Sequence, residues 1–224
     1  LSTMPQGVAT DMTAQELRDL VAFLREKPGR EPDFGEEVVL FDGTSLDGWT
    51  HYLRGDASFD DVWRIEDGVL ICGGRPAGYI RTEAEFESFH LSLEWRFDPA
   101  KGAGNSGVLM RKTGEDKVWP HSIEAQLWST NAGDIWNIGN FPMRTDPART
   151  NGRHTTRAQP SSEKPLGEWN RYDILLDGPR LELRVNGVLQ NTADWCEVKP
   201  GNICLQSEGA EIHFRNIRLR PIVN

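Results

Sequence analysis

The pair Asn186-Gly187, set between Leu181-Glu182-Leu183-Arg184-Val185 and Val188-Leu189-Gln190, leaves this chain little freedom. Two residues that tolerate positive φ join two segments of alternating side chains, which is the pattern of a tight antiparallel hairpin. The pattern recurs where Glu66-Asp67-Gly68 separates Val62-Trp63-Arg64-Ile65 from Val69-Leu70-Ile71-Cys72. From His90 to Phe97, Leu91, Leu93, Trp95 and Phe97 share one face while Ser92, Glu94 and Arg96 share the other. Further strands are expected over Gly107 to Arg111, Arg171 to Leu176, Ile203 to Gln206 and Ile212 to Arg215. Many short strands with Gly-rich turns predict an all-β, two-sheet sandwich with Trp49, Trp63 and Trp95 in its core.

The first 30 residues follow a different period. Thr13-Ala14-Gln15-Glu16 has the form of a capping box, and Leu17, Leu20, Val21 and Leu24 recur at helical spacing until Lys27-Pro28-Gly29. This predicts a short N-terminal α-helical appendage over 1–30, a linker over 31–37 and the β-domain over 38–224. Because the chain opens on Leu1, it reads as a processed or excised piece whose targeting segment has been removed, and a periplasmic or secreted location is expected.

Composition narrows the partners. With 25 Lys+Arg against 34 Asp+Glu the formal charge is -9, which offers no general attraction to nucleic acid or anionic lipid. No stretch approaches the roughly 18 apolar residues of a membrane-spanning helix. Neutral ligands such as glycans remain open. Cys72, Cys196 and Cys204 have no metal-type spacing; Cys196 and Cys204 flank Val198-Lys199-Pro200-Gly201, so either a disulfide across a turn or two buried thiols is expected.

One strand stands out chemically. In Ser122-Ile123-Glu124-Ala125-Gln126-Leu127-Trp128 the side opposite the apolar residues carries a carboxylate, an amide and an indole. That is a composition suited to a sugar: an apolar plate with hydrogen-bonding groups beside it. Ser129 to Lys164 then reads as one long loop holding Trp136, His154 and Arg157, a length more often functional than idle.

Several signatures coincide with those of a known family. Leu40-Phe41-Asp42-Gly43-Thr44-Ser45-Leu46-Asp47-Gly48-Trp49 opens the domain, and Gly104-Asn105-Ser106-Gly107-Val108 and Ile123-Glu124-Ala125-Gln126 occupy its middle. Gly167-Glu168-Trp169-Asn170, Leu205-Gln206-Ser207-Glu208-Gly209 and Phe214-Arg215-Asn216-Ile217-Arg218-Leu219 follow in order. The series resembles the 3-keto-disaccharide hydrolase domain family, which implies a concanavalin-like jelly roll and action on glycosides oxidised at C3. Where the family pattern has His, this chain has Glu208. Met4-Pro5-Gln6-Gly7 with the helix after it resembles the C-terminal end of a class I c-type cytochrome, which would make Met4 a haem ligand and imply an upstream haem domain. The Cys-x-x-Cys-His attachment sequence is absent, so no haem is expected in this chain.

A ketone at C3 acidifies the C2 hydrogen, so a base can remove it and the C1 oxygen can depart. Such a site needs a base, a stabiliser for the enolate and an acid. Glu124 is the first candidate for the base or for a metal-binding carboxylate, with Glu208 and His154 as the other proton-transfer candidates. Arg111 is expected to hold an oxyanion or to pair with Glu94. Asn105, Gln126 and Gln206 are expected to bind hydroxyls, with Trp128 and Trp136 as stacking surfaces. A divalent cation such as Ca²⁺ would suit the fold, although no acidic loop has an EF-hand pattern. Two rivals stand beside this reading. A conventional glucanase on the same fold needs Glu-x-Asp-x-x-Glu, where this chain has Glu124-x-Gln126-x-Trp128. A non-catalytic carbohydrate-binding module needs the aromatic plate and no base.

Overall fold

A computed structural model describes Thr13, residues 31–55 and residues 57–223. The predicted helix, its cytochrome-like reading and Met4 lie outside the described residues. Within them the strands run β1 (Val38–Phe41), β2 (Trp49–Leu53), β3 (Trp63–Glu66), β4 (Val69–Cys72), β5 (Gly78–Thr82) and β6 (Phe89–Phe97). They continue as β7 (Gly107–Thr113), β8 (His121–Gln126), β9 (Ile135–Ile138), β10 (Thr150–Asn151) and β11 (His154–Thr155). The last are β12 (Asn170–Asp177), β13 (Arg180–Val185), β14 (Val188–Ala193), β15 (Asn202–Ser207) and β16 (Ile212–Pro221). Among the described residues the helical structure is one 3-10 turn, Phe59–Asp61.

The strands form two antiparallel sheets. The first runs β14-β13-β12-β6-β16-β4-β3, with β1 also on β16, and the second runs β10-β11-β9-β8-β7-β15-β5-β2. β16 is long enough to pair β4 through its first half, Ile212 opposite Cys72, and β1 through its second, Val38 opposite Leu219. Both predicted hairpins form: Asp67 (φ 49) with Gly68 (φ 77) joins β3 to β4, and Asn186 (φ 50) with Gly187 (φ 83) joins β13 to β14. These angles suit the twist of the flanking strands.

Inner-face side chains of both sheets fill one core: Leu91, Leu93 and Trp95 of β6 and Ile174 of β12 oppose Val108, Met110, Ile123 and Ala125 of β7 and β8. Trp63 stacks on Phe214 and Trp95 tilts against Tyr172. Full burial of a large apolar side chain is worth about 1.5–3 kcal/mol, so these layers dominate stability. Trp63 and Trp95 are buried as expected, whereas Trp49 is half-buried at the rim and donates from Nε1 to the Leu40 carbonyl at 2.6 Å.

Two expectations need correction, and the alternative left open at the cysteines is decided. The segment from Ser129 to Lys164 is not one loop, because β9, β10 and β11 extend the second sheet from it. Strands of two to four residues show no measurable alternation; side chains hold them, as where Asn137 bonds both the N–H and the carbonyl of Phe141 at 2.7 Å. The three cysteines are separate buried thiols, so Cys196 and Cys204 are not joined. Burial pushes the thiols of Cys72 and Cys196 up to about 12. Arg111 is neither an oxyanion holder nor a partner of Glu94. Its guanidinium is fully buried and donates to the carbonyls of Glu87, Gly178 and Glu197, while Glu94 pairs with Arg215.

Candidate active site

β8 crosses the second sheet between β7 and β9, which aligns Glu124 with Leu109 on one side and Trp136 on the other. Ile123 and Ala125 belong to the core, so Glu124 and Gln126 emerge on the sheet's outer face. β8 stops at Gln126 because its Oε1 accepts the N–H groups of Leu127 and Trp128, each at 2.8 Å. That bend turns Trp128 outward, leaving it 52% exposed.

The outer face carries a cavity of about 380 Å³. Glu124 and Glu208 are its acids, Asn105 and Gln126 its amides, and Arg153 also lines it. Trp119, Trp128 and Trp136 supply three indoles. Glu124 is 5% exposed, and burial pushes its carboxyl well above the usual carboxylate range. Glu208 adds to that rise by like-charge repulsion, while Arg153 opposes it. Glu208 is also raised, by burial, against a hydrogen bond from Trp119 Nε1 to its Oε1 at 3.2 Å. The Asn105 Oδ1 is buried and has no hydrogen-bond partner.

The cavity therefore gathers Glu124, Glu208, Asn105, Gln126, Trp128 and Trp136 from the candidates read in the sequence. Two others fall behind it. His154 of β11 lies one strand beyond Trp136, stacked on its ring at 4.5 Å, with Nε2 held by the buried Asp134 at 2.7 Å. It supports the aromatic wall without lining the cavity. Gln206 of β15 is 2% exposed and is not among the side chains that line the cavity; its Oε1 and an oxygen of Glu124 border the same space over Gly107.

Arg153 and Trp119 were not foreseen. Arg153 follows Gly152 in the turn between β10 and β11, and its guanidinium lies 5.7 Å from the Trp136 ring centre. Those two-residue strands carry no periodic signal, so nothing in the sequence placed that turn beside β8. Trp119 stands in a polar loop before β8; an indole next to Pro120 was the one available hint.

The oxygen donors that a divalent cation could use in the cavity are the Glu124 and Glu208 carboxylates and the partnerless Asn105 Oδ1, with Arg153 beside them. Among the described residues, three acid or His ligand atoms gather elsewhere, at Asp98, Glu211 and His213. That group is committed within the protein: Arg96 donates to His213 Nδ1 at 3.2 Å, His213 Nε2 meets Glu211 at 3.1 Å, and Glu211 pairs with Arg64.

Fold and site together define a jelly-roll β-sandwich with an acid-bearing aromatic cleft on one sheet. The chain belongs to the 3-keto-alpha-glucoside-1,2-lyase-like domain family, which it matches over residues 36–220. It is 28% identical over 156 residues to a 3-keto-disaccharide hydrolase of Bacteroides thetaiotaomicron, a match covering 62% of this chain and 52% of that protein. The chain thus spans about half the length of the curated relative it matches. A Parabacteroides distasonis structure to which glycosyl hydrolase activity is ascribed superposes with TM-score 0.61 at 20% identity, covering 84% of this chain and 94% of that one. The laminarinase catalytic domain of Thermotoga maritima shares the fold with TM-score 0.58 at 13% identity, covering 87% and 100%.

Proposed function

We propose that this domain cleaves glycosides whose sugar carries a ketone at C3, by removing the C2 proton and releasing the C1 oxygen. The observation that carries this reading is the pairing of Glu124 and Glu208 in one cavity, both raised by burial, beside Arg153. A carboxyl group raised towards neutrality is suited to give and take protons at physiological pH. Arg153 would stand against the enolate oxygen, where a fixed positive charge favours the developing anion. Trp128 and Trp136 would hold the sugar face, and Asn105 Oδ1, which lacks a donor in the protein, would accept from a sugar hydroxyl.

The chemistry closes on itself. One carboxylate takes the C2 hydrogen, and the C–H electron pair moves into an enolate spanning C2, C3 and the C3 oxygen. When the C1–O bond breaks, that pair becomes the C1=C2 double bond, C3=O is restored and the leaving oxygen takes a proton from the second carboxyl. Water adding at C1 reverses both proton transfers and returns the acids to their starting states. The charge of Arg153 serves this sequence without a metal.

The test compares release of the leaving group from a 3-keto glucoside and from its unoxidised parent, with and without a chelator. Cleavage of the keto compound alone, unaffected by the chelator, is expected. Glycan binding without cleavage of either would make this a carbohydrate-binding module; cleavage of the parent would make it a conventional glycosidase; and loss with chelator would put a cation in the site.

A further inference from the structure

Glu124, which lines the cavity, also borders an arrangement that the reaction as stated leaves unexplained. Gly107 of β7 faces Gln126 of β8, and it has no side chain for a steric reason. A Cβ there would fall 2.1 Å from Gln206 Oε1 and 2.5 Å from Glu124 Oε1. The missing side chain leaves a small space into which two acceptor oxygens converge. Gln206 is 2% exposed, and its Oε1 is buried with no hydrogen-bond partner. No hydrogen bond to the Glu124 carboxylate is present among the described residues either. An acceptor buried without a donor costs free energy, and a proton on Glu124, whose oxygen borders the same space, would satisfy the Gln206 Oε1.

We propose that Gln206 is a positioning residue that holds Glu124 as a protonated donor, which assigns Glu124 to the departing C1 oxygen and Glu208 to the C2 proton. The inference rests on the 3-keto glycoside reading and gives each acid a single direction. The Glu124 O–H donates to Gln206 Oε1 in the resting site and turns to the leaving oxygen when the C1–O bond breaks. Burial and the neighbouring Glu208 keep that proton in place before the substrate enters. Glu208 is the acid better placed to start ionised, because Trp119 Nε1 donates to its Oε1 and stabilises the charge. Glu208 takes the C2 proton, Glu124 gives its own to the aglycone, and addition of water restores both.

The experiment uses leaving groups of different basicity. A 3-keto methyl glucoside needs an acid for release of methanol, whereas the 4-nitrophenyl analogue releases a stabilised phenolate without one. In heavy water, exchange of the C2 hydrogen reads the base alone. Glu124→Gln keeps shape and a donor, and is expected to retain C2 exchange and 4-nitrophenol release within about tenfold while slowing methanol release at least ~10²-fold. Glu208→Gln is expected to lose all three. Loss of C2 exchange in Glu124→Gln, with melting temperature intact, overturns the assignment and makes Glu124 the base. For Gln206, kcat/KM against pH is the readout. Gln206→Ala, which admits water, moves the alkaline limb to lower pH, and Gln206→Glu moves it to higher pH by adding a like charge. If neither variant moves that limb, Gln206 is structural and the proposal fails. If the wild-type domain shows neither exchange nor release from either keto compound, the functional reading itself falls.

Discussion

The two sheets present outer faces built from the same residue types to opposite ends. On the first sheet every prominent charge is answered: Glu94 by Arg215, Asp173 by His90 and Arg171, and Glu182 by Arg180 and Arg184. Arg215 also lies over the Trp169 ring at 4.0 Å. On the second sheet Glu124 has no hydrogen bond among the described residues, and the oxygens of Gln206 and Asn105 have no donor. Satisfied pairs on an exposed face contribute little and keep a surface inert, whereas unsatisfied groups in a recess store a cost that a ligand can relieve. Strand composition does not separate the two faces; whether the neighbouring strands supply partners does.

The contrast can be broken at several points. The largest effect is expected from Glu208→Gln, which should lower kcat on a 3-keto glucoside by about 10²–10⁴-fold without lowering the melting temperature. A retained rate would remove the acid pair from the mechanism. Next is Arg111→Ala. Deleting this buried guanidinium strands the Glu87, Gly178 and Glu197 carbonyls and should cost about 3–5 kcal/mol by denaturant unfolding. A variant as stable as the parent would show that those carbonyls find water.

A third test uses pH, because the two faces should titrate with opposite signs. Burial alone would raise Asp173, yet hydrogen bonds from His90 and Arg171 hold it well below the carboxylate range. Its contribution is present above the unfolded value near ~4 and is lost as pH falls through the lower native value. Glu124 is raised in the fold, so its contribution is full below the unfolded value near ~4.3 and is lost as pH rises through the native value. Glu124→Gln should therefore melt above the wild type at pH 8 and level with it at pH 4. Asp173→Asn should melt below the wild type at pH 7 and approach it in strong acid. Equal pH profiles for the two variants would dissolve the distinction between the sheets. The smallest effect is expected from Glu94→Gln, at most about 1 kcal/mol by chemical denaturation and no change in turnover. A larger activity change would mean that the first sheet takes part in function.

Legibility followed the same division. The hairpins at Asp67-Gly68 and Asn186-Gly187 could be read because turn chemistry and strand alternation are local, and the inward Leu91, Leu93 and Trp95 followed from period two. Glu124, Gln126 and Trp128 could be read as one surface for the same reason. Arg111 was misjudged because an alternating pattern assigns a face and says nothing of what covers it; the carbonyls that bury it come from three distant segments. His154 was misjudged by a single strand, since Trp136 stands between it and Glu124.

The sequence by itself determined the longer alternating strands, the two tight hairpins, the two-layer core and the family, because each depends on neighbours within a few residues or on an ordered set of short motifs. Tertiary structure decided which polar groups were left without partners. Arg153 reached the cavity through two-residue strands with no periodic signal, and the convergence of Gln206 and Glu124 over Gly107 depends on β7, β8 and β15 meeting in register. A hydrogen bond or its absence is fixed by a few tenths of an ångström between residues far apart in the chain, and no local pattern encodes that distance.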